Sequence, residues 1–285
     1  MSQRALRPRR RPAGHARKPR TPLRRRIGRR LPGGGRLLAL LAFAALLGGT
    51  VTLVNGPWLR VVEVAHAGER YTPAADLNEI LGAFRGAPLL AVDSGALAER
   101  IEDLPAVASA RVEAYLPGTL RVSVVEKAAA FTWVTRAARL VGAADGSIIA
   151  ELPLDAELPA ELAALPAVDD QRPRSRGLGV GDTLSAAELR MALRLLAVDP
   201  ALLGSAATAL GLQVDPEYGF VLVSAQPPWR AALGFYQLDP AEDAVTADAR
   251  LDAQIAAVRT LFAGHAEASV SWVDARNPGR VYWAP

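Results

Sequence analysis

The hydrophobic rhythm of the chain changes along its length. The stretch LLALLAFAALLGGTVTLV, Leu37 to Val54, carries no charge over eighteen residues. At 1.5 Å per residue, a helix of that length spans roughly 27 Å, close to the hydrocarbon thickness of a bilayer. It is apolar on every side, which suits lipid better than a single buried face. Asn55-Gly56-Pro57-Trp58 then ends it with a breaker and an interfacial aromatic. A transmembrane helix is placed at residues 37–57. A cleaved signal peptide is the competing reading. It would need an unusually long n-region and a small-x-small site at Ala65-His66-Ala67, about eleven residues past the apolar run.

Beyond Trp58 the periods become those of a folded body. RVVEVAHA, residues 60–67, predicts a short strand with Val62 and Val64 on one face. Thr72-Pro73 predicts a helix start, threonine as N-cap and proline at the first helical position. Leu77, Ile80, Leu81 and Phe84 follow at helical spacing. A second helix is predicted after Asp93-Ser94, with Leu97, Ile101 and Leu104 on one face, stopping at Pro105. VASARVEAY and TLRVSVVE then read as two strands, joined by a turn at Leu116-Pro117-Gly118. The order strand, helix, helix, strand, strand suits one small α+β domain.

After Lys127, AFTWV predicts a strand, and RLVGAADGSIIAEL a hairpin turning at Asp145-Gly146. Residues 153–176 are rich in proline and give no assignable element. An amphipathic helix is predicted from Glu188 to Val198, strands at LGLQVD, GFVLVSA and RAALGFY, and a longer helix from Thr246 to Phe262. The chain closes on SWVDARNPGRVYWAP, where Val270 and Trp272 share a face with Asp274 and Arg276. A strand sealed between two apolar layers should not alternate that way. Ser271 to Ala275 is therefore expected to close a sheet, and Arg276 to Pro285 to receive a partner.

Charge settles the expected orientation. Of the 33 Lys and Arg residues, 14 lie in residues 1–36, which hold no acid; the rest has 19 basic against 29 acidic residues. Arg24, Arg25, Arg26, Arg29, Arg30 and Arg36 abut the apolar run and act as topology determinants under the positive-inside rule. A nucleic-acid patch is the weaker reading of that tail, because the membrane helix follows it directly. No enzyme constellation emerges. Without cysteine there is no thiolate nucleophile or zinc-thiolate site, and His15, His66 and His265 form neither HExxH nor a triad. GLGVGD lacks the GKS/T ending of a phosphate loop. Glu126 and Lys127 read as a surface ion pair or a structural strand end.

These elements, in this order, resemble the FtsQ/DivIB family of bacterial cell-division proteins. LPAVASARVEAYLPGTLRVSVVEKAAAFTW, Leu104 to Trp133, is similar to its pattern of Leu-Pro-x-Val, Ala-x-Val, an aromatic-Pro-x-Thr-Leu turn and a closing Val-x-Glu; Leu104, Pro105, Val107, Ala110, Val112, Pro117, Thr119, Leu120 and Glu126 fit. Ala106 and Leu116 stand where the family often has aromatics, and Ala129 where it often has proline. WVDARNPGRVYWAP is similar to the family's closing hairpin.

The resemblance implies an α+β chain with a single transmembrane helix, a POTRA domain (β-α-α-β-β) and a mixed α/β "β domain" with an extended sheet. Expected boundaries are a basic cytoplasmic tail at 1–36, the transmembrane helix at 37–57, POTRA at 58–127 and the β domain at 128–285. It implies a non-enzymatic divisome component without cofactor or metal, in the inner membrane at the division septum, with its N-terminus cytoplasmic and its bulk periplasmic. The implied partners are FtsB- and FtsL-like membrane proteins and the septal peptidoglycan synthase, with no nucleic acid. In the family the end of the β domain docks FtsB by adding a strand, which carries over Arg276 and Trp283, and with them Asn277 and Tyr282. A POTRA-bearing component of outer-membrane assembly or secretion, and a membrane-anchored cell-wall enzyme, stay open as other classes.

Overall fold

The computed structural model describes residues 34–237, 242–277 and 279–285. The arginines Arg24, Arg25, Arg26, Arg29 and Arg30, expected to set topology, lie outside them, as does Pro278 of the closing turn. Helix α1 covers Gly34–Asn55 and starts three residues before the expected position. Its span Gly35–Thr52 is long and apolar enough to cross a membrane, the one such helix among the described residues. Arg36 stands in its first turn, and Pro57 opens a separate 3-10 turn, Pro57–Leu59.

Residues 61–126 build a three-stranded sheet. Strand β1 (Glu63–Ala67) runs parallel to β3 (Thr119–Glu126), and β2 (Val107–Tyr115) pairs antiparallel on the other side, giving the order β1-β3-β2. Helices α2 (Ala74–Gly82) and α3 (Ser94–Glu102) cover one face. Leu77, Leu81, Leu97 and Ile101 from the helices pack with Leu120, Val122 and Val124, all buried. The period-2 and period-3.6 apolar patterns thus meet in one core, which is why the expected strand-helix-helix-strand-strand order folds as read.

Local chemistry departs from expectation at two helix and strand starts. At α3 the Asp93 carboxylate accepts from the Gly95 and Ala96 N–H groups at 3.0 and 3.1 Å and caps the helix, which begins at Ser94. At α2 Pro73 holds the N-cap position and Thr72 does not cap. The Thr72 N–H donates to Glu126 Oε1 at 2.6 Å. Strand β1 also starts late. Both backbone groups of Val61 are taken by Gly86 and Ala87, so Val61 is buried and Val62 is 81% exposed.

Glu126 and Lys127 do not pair with each other. The Glu126 carboxylate accepts from the Tyr71 and Thr72 N–H groups, while Lys127 Nζ reaches Asp145 at 3.1 Å and Ser147 at 3.0 Å. Burial opposes the Glu126 charge, but the hydrogen-bond donors of residues 70–72 prevail and hold the carboxyl below its ordinary value. Glu126 is a structural strand end.

Residues 129–284 form a nine-stranded mixed sheet. Its strands are β4 (Ala129–Val134), β5 (Arg139–Ala143), β6 (Ile148–Leu152), β7 (Ala167–Asp170), β8 (Gly211–Asp215), β9 (Gly219–Ala225), β10 (Pro228–Gly234), β11 (Trp272–Asp274) and β12 (Tyr282–Ala284). Their spatial order is β12-β11-β10-β9-β8-β7-β4-β5-β6. A single-turn helix α4 (Ala160–Ala163) precedes β7, and α5 (Ala186–Leu196) and α6 (Ala244–Gly264) supply the helical layer. Met191 and Leu195 of α5, with Leu251 and Val258 of α6, pack with Phe131, Trp133, Phe220 and Trp229 of the strands. Gly142 of β5 admits the Phe131 ring, since a Cβ there would lie 2.0 Å from it. A smaller cluster of Ala106, Val141, Ile149 and Leu162, joined by Tyr71, continues the packing from the smaller sheet to the larger.

The segment without an assignable element, 153–176, supplies a central strand. β7 lies between β4 and β8, parallel to both. Its last residue, Asp170, is fully buried and accepts from Trp133 Nε1 (2.9 Å), Arg172 Nε (2.8 Å) and Nη2 (2.6 Å), and Ser175 Oγ (2.5 Å). Arg172 also pairs with Glu188 of α5. A buried charge persists where its lone pairs are filled.

Candidate functional site

Nine strands in an open sheet leave two edges, and the closing sequence forms one of them. β11 lies parallel to β10, with Trp272 beside Arg230 and Asp274 beside Ala232. β12 returns antiparallel, placing Ala284, Trp283 and Tyr282 opposite Trp272, Val273 and Asp274. Among the described residues no strand pairs with the outer side of β12. The Ser271 N–H donates to Ala284 O at 2.9 Å, so Ala284 points its backbone inward. Successive residues of a strand point their backbone groups to opposite sides. Trp283 N–H and C=O therefore face the open edge.

The turn before β12 is braced from within. Arg276 donates to Asp274 through Nε (3.0 Å) and Nη2 (2.7 Å), and its own N–H adds a third bond at 3.1 Å. This fork holds the Asp274 carboxyl below its ordinary value despite partial burial. The Arg276 guanidinium also lies over the Tyr218 ring at 4.8 Å. Tyr218 meets Trp272 edge-on at 4.8 Å, and Arg230 covers Trp272 at 5.5 Å. The result is a ladder Arg276–Tyr218–Trp272–Arg230 on the face turned away from α5 and α6. Asn277 is exposed in the turn, its carbonyl accepting from Arg280 N–H at 3.1 Å, and Gly279 takes a positive φ.

The four residues expected to dock a partner are thus near in sequence but divided in space. Trp283, opposite buried Val273, stands on the helix side of the sheet, where its ring packs on His265 at the end of α6 at 4.6 Å. Tyr282, opposite Asp274, stands on the other face beside the ladder. Both are exposed, at 40% and 55%. Arg276 is engaged within the chain, and Asn277 caps neither face. An incoming strand would find backbone groups at the edge, a tryptophan on one side and a tyrosine on the other. Sequence reading did not find His265, Tyr218 or Arg230 here. They sit on other elements, and only the alternation of Trp272 and Asp274 hinted at a second decorated face.

Residues 59–127 match the family model described as POTRA domain, FtsQ-type. The chain is also similar to the protein named Cell division protein FtsQ from Mycobacteroides abscessus, 31% identical over 134 residues. Those residues are 47% of this chain and 43% of that protein, so the match spans less than half of the relative's length. Both findings support the FtsQ/DivIB resemblance, and the small sheet with its two helices is an FtsQ-type POTRA domain.

Proposed function

We propose that this chain is a non-enzymatic cell-division protein that captures other divisome subunits by strand addition to the open edge of β12. It is anchored by α1 with the basic tail, 1–36, in the cytoplasm and the POTRA domain (58–127) and β domain (128–285) outside, at the septum. The observation that carries the reading is the unpaired edge itself. Trp283 directs its backbone outward, and two aromatic side chains flank it. Exposed edges are usually blunted by charge, proline or cover; an aromatic-flanked one suits β-augmentation, with ladder bonds for affinity and side-chain pockets for register. FtsB- and FtsL-like membrane proteins are the partners proposed for this edge, with the septal peptidoglycan synthase as a further contact. The charge asymmetry of the chain supports the orientation.

The test is a pull-down of an FtsB-like extracytoplasmic segment by residues 58–285, repeated after deletion of residues 277–285. Capture by the longer fragment and loss with the shorter one is expected. Equal capture by both would remove the edge from the mechanism. Peptidoglycan cleavage or transfer by the fragment alone would overturn the non-enzymatic reading.

A further inference from the structure

A second exposed apolar surface lies on the POTRA domain, away from the docking edge in sequence and in role. Trp58 is 77% exposed, Val62 81% and Leu116 68%. Val62 and Leu116 belong to one surface. The Val62 N–H donates to Gly118 O at 2.9 Å, so the Leu116–Gly118 turn is bonded to the segment entering β1. The close approach needs glycine. A Cβ on Gly118 would stand 2.4 Å from Arg60 O and 3.4 Å from Val62 Cγ2. The turn keeps an apolar tip, Leu116, that the domain's own core does not use.

We propose that Val62 and Leu116 form an apolar lip, with Trp58 just before it in the chain, that seats in the interfacial layer of an anionic phospholipid bilayer, the one that α1 crosses. Chain reach decides for lipid over a protein partner. Trp58 follows Asn55, the last residue of α1, by three residues, and Val62 by seven. Fully extended backbone covers at most roughly 11 Å and 25 Å over those intervals. Tryptophan favours the headgroup level, where its ring is half solvated. Basic side chains complete the surface. Arg60 is exposed, with Nη1 on Gly86 O at 2.7 Å, and its carbonyl oxygen lies against Gly118, placing one guanidinium near the lip for lipid phosphates; Arg85, next to Gly86 in the chain, is exposed as well. The nearby acid, Glu63, is held by Thr119 Oγ1 at 3.2 Å.

The chain has no cysteine, so one introduced thiol reports one position. Full-length Leu116→Cys and Val62→Cys, with Val245→Cys on α6 as the control (Val245 is 74% exposed), are labelled with an environment-sensitive fluorophore. They are then reconstituted into phosphatidylcholine–phosphatidylglycerol vesicles. The readout is the ratio of quenching by a spin-labelled lipid to quenching by aqueous iodide. A ratio several-fold higher at positions 116 and 62 than at 245 is expected. Equal ratios at all three positions overturn the lip. Ratios that rise only when an FtsB-like membrane protein is co-reconstituted also overturn it, assigning the surface to protein. If Leu116→Cys does not fold, Val62→Cys carries the same comparison.

Discussion

Val273 and Trp283 face each other across the last strand pair, one fully buried and the other 40% exposed. Within a single cross-strand step the sheet passes from core to open edge. The Trp283 ring leans on His265, so the residue is partly held by the fold and partly left open at the edge.

Truncating that ring separates the two roles. Trp283→Ala should cost about 2 kcal/mol or more of binding to an FtsB-like segment, as a buried aromatic anchor does. The half-exposed side chain should cost the free protein only about 1 kcal/mol of stability. Titration calorimetry and thermal melts of the same sample read both numbers. A large drop in melting temperature with unchanged affinity would make Trp283 a core residue.

The backbone at the same position makes a second, independent prediction. Trp283 N–H points away from β11, and edge strands tolerate proline where the N–H is not bonded within the sheet. Trp283→Pro should fold about as well as Trp283→Ala yet bind the partner more weakly still, because the incoming ladder loses a donor. Equal affinities of the two variants would mean that recognition rests on the side chain and not on strand addition.

Arg276 is predicted to act through the turn. Its fork to Asp274 and its stacking on Tyr218 hold the approach to β12. The pair is only partly buried, so a double-mutant cycle with Asp274→Ala and Arg276→Ala should show a coupling of about 1 kcal/mol. Arg276→Lys should behave like Arg276→Ala, since an ammonium supplies neither fork nor planar stack. Hydrogen exchange should quicken at Ser271, whose N–H bonds to β12, in each single variant. Unchanged protection there would detach the fork from the edge.

How legible the fold was depended on where the apolar residues stand. β3 alternates cleanly, burying Leu120, Val122 and Val124, while β2 buries only Val107 and Val112 and shifts register near its start; both strands end where the sequence placed them, at Val107–Tyr115 and Thr119–Glu126. The hairpin at Asp145-Gly146 was readable as well, and α5 and α6 overlap the helices expected at 188–198 and 246–262. β7 was not. In AVDD only Val168 carries an apolar signal, and its buried Asp170 reads as a loop acid until Arg172, Ser175 and Trp133 are seen around it. Thr72 misled because the helix begins one residue later than expected, at Ala74, with Pro73 in the N-cap position. At the candidate site the strand and its aromatics were visible in the closing sequence. The division of Tyr282 and Trp283 between faces was not, because it depends on pairing register with β11.

Asp170 also gives the strongest stability prediction. Asp170→Ala would leave Arg172 buried with only Glu188 beside it, and should cost about 3–5 kcal/mol. Burial opposes the Asp170 charge, but Arg172, Ser175 and Trp133 more than offset it and hold the carboxyl below its ordinary value. The sign for pH follows. The folded carboxylate gives up its proton more readily than the unfolded one, so its contribution is complete above about pH 4, the ordinary aspartate range. It is lost as pH falls through the depressed folded value. Urea midpoints of residues 58–285 should therefore fall between neutral and strongly acidic pH. Asp170→Asn, already weakened at neutral pH, should fall less over the same interval. Parallel pH profiles for the two proteins would place the acid sensitivity elsewhere, with Asp145, whose carboxyl is held down to about 2 by Ser147 and Lys127, as the next group to vary.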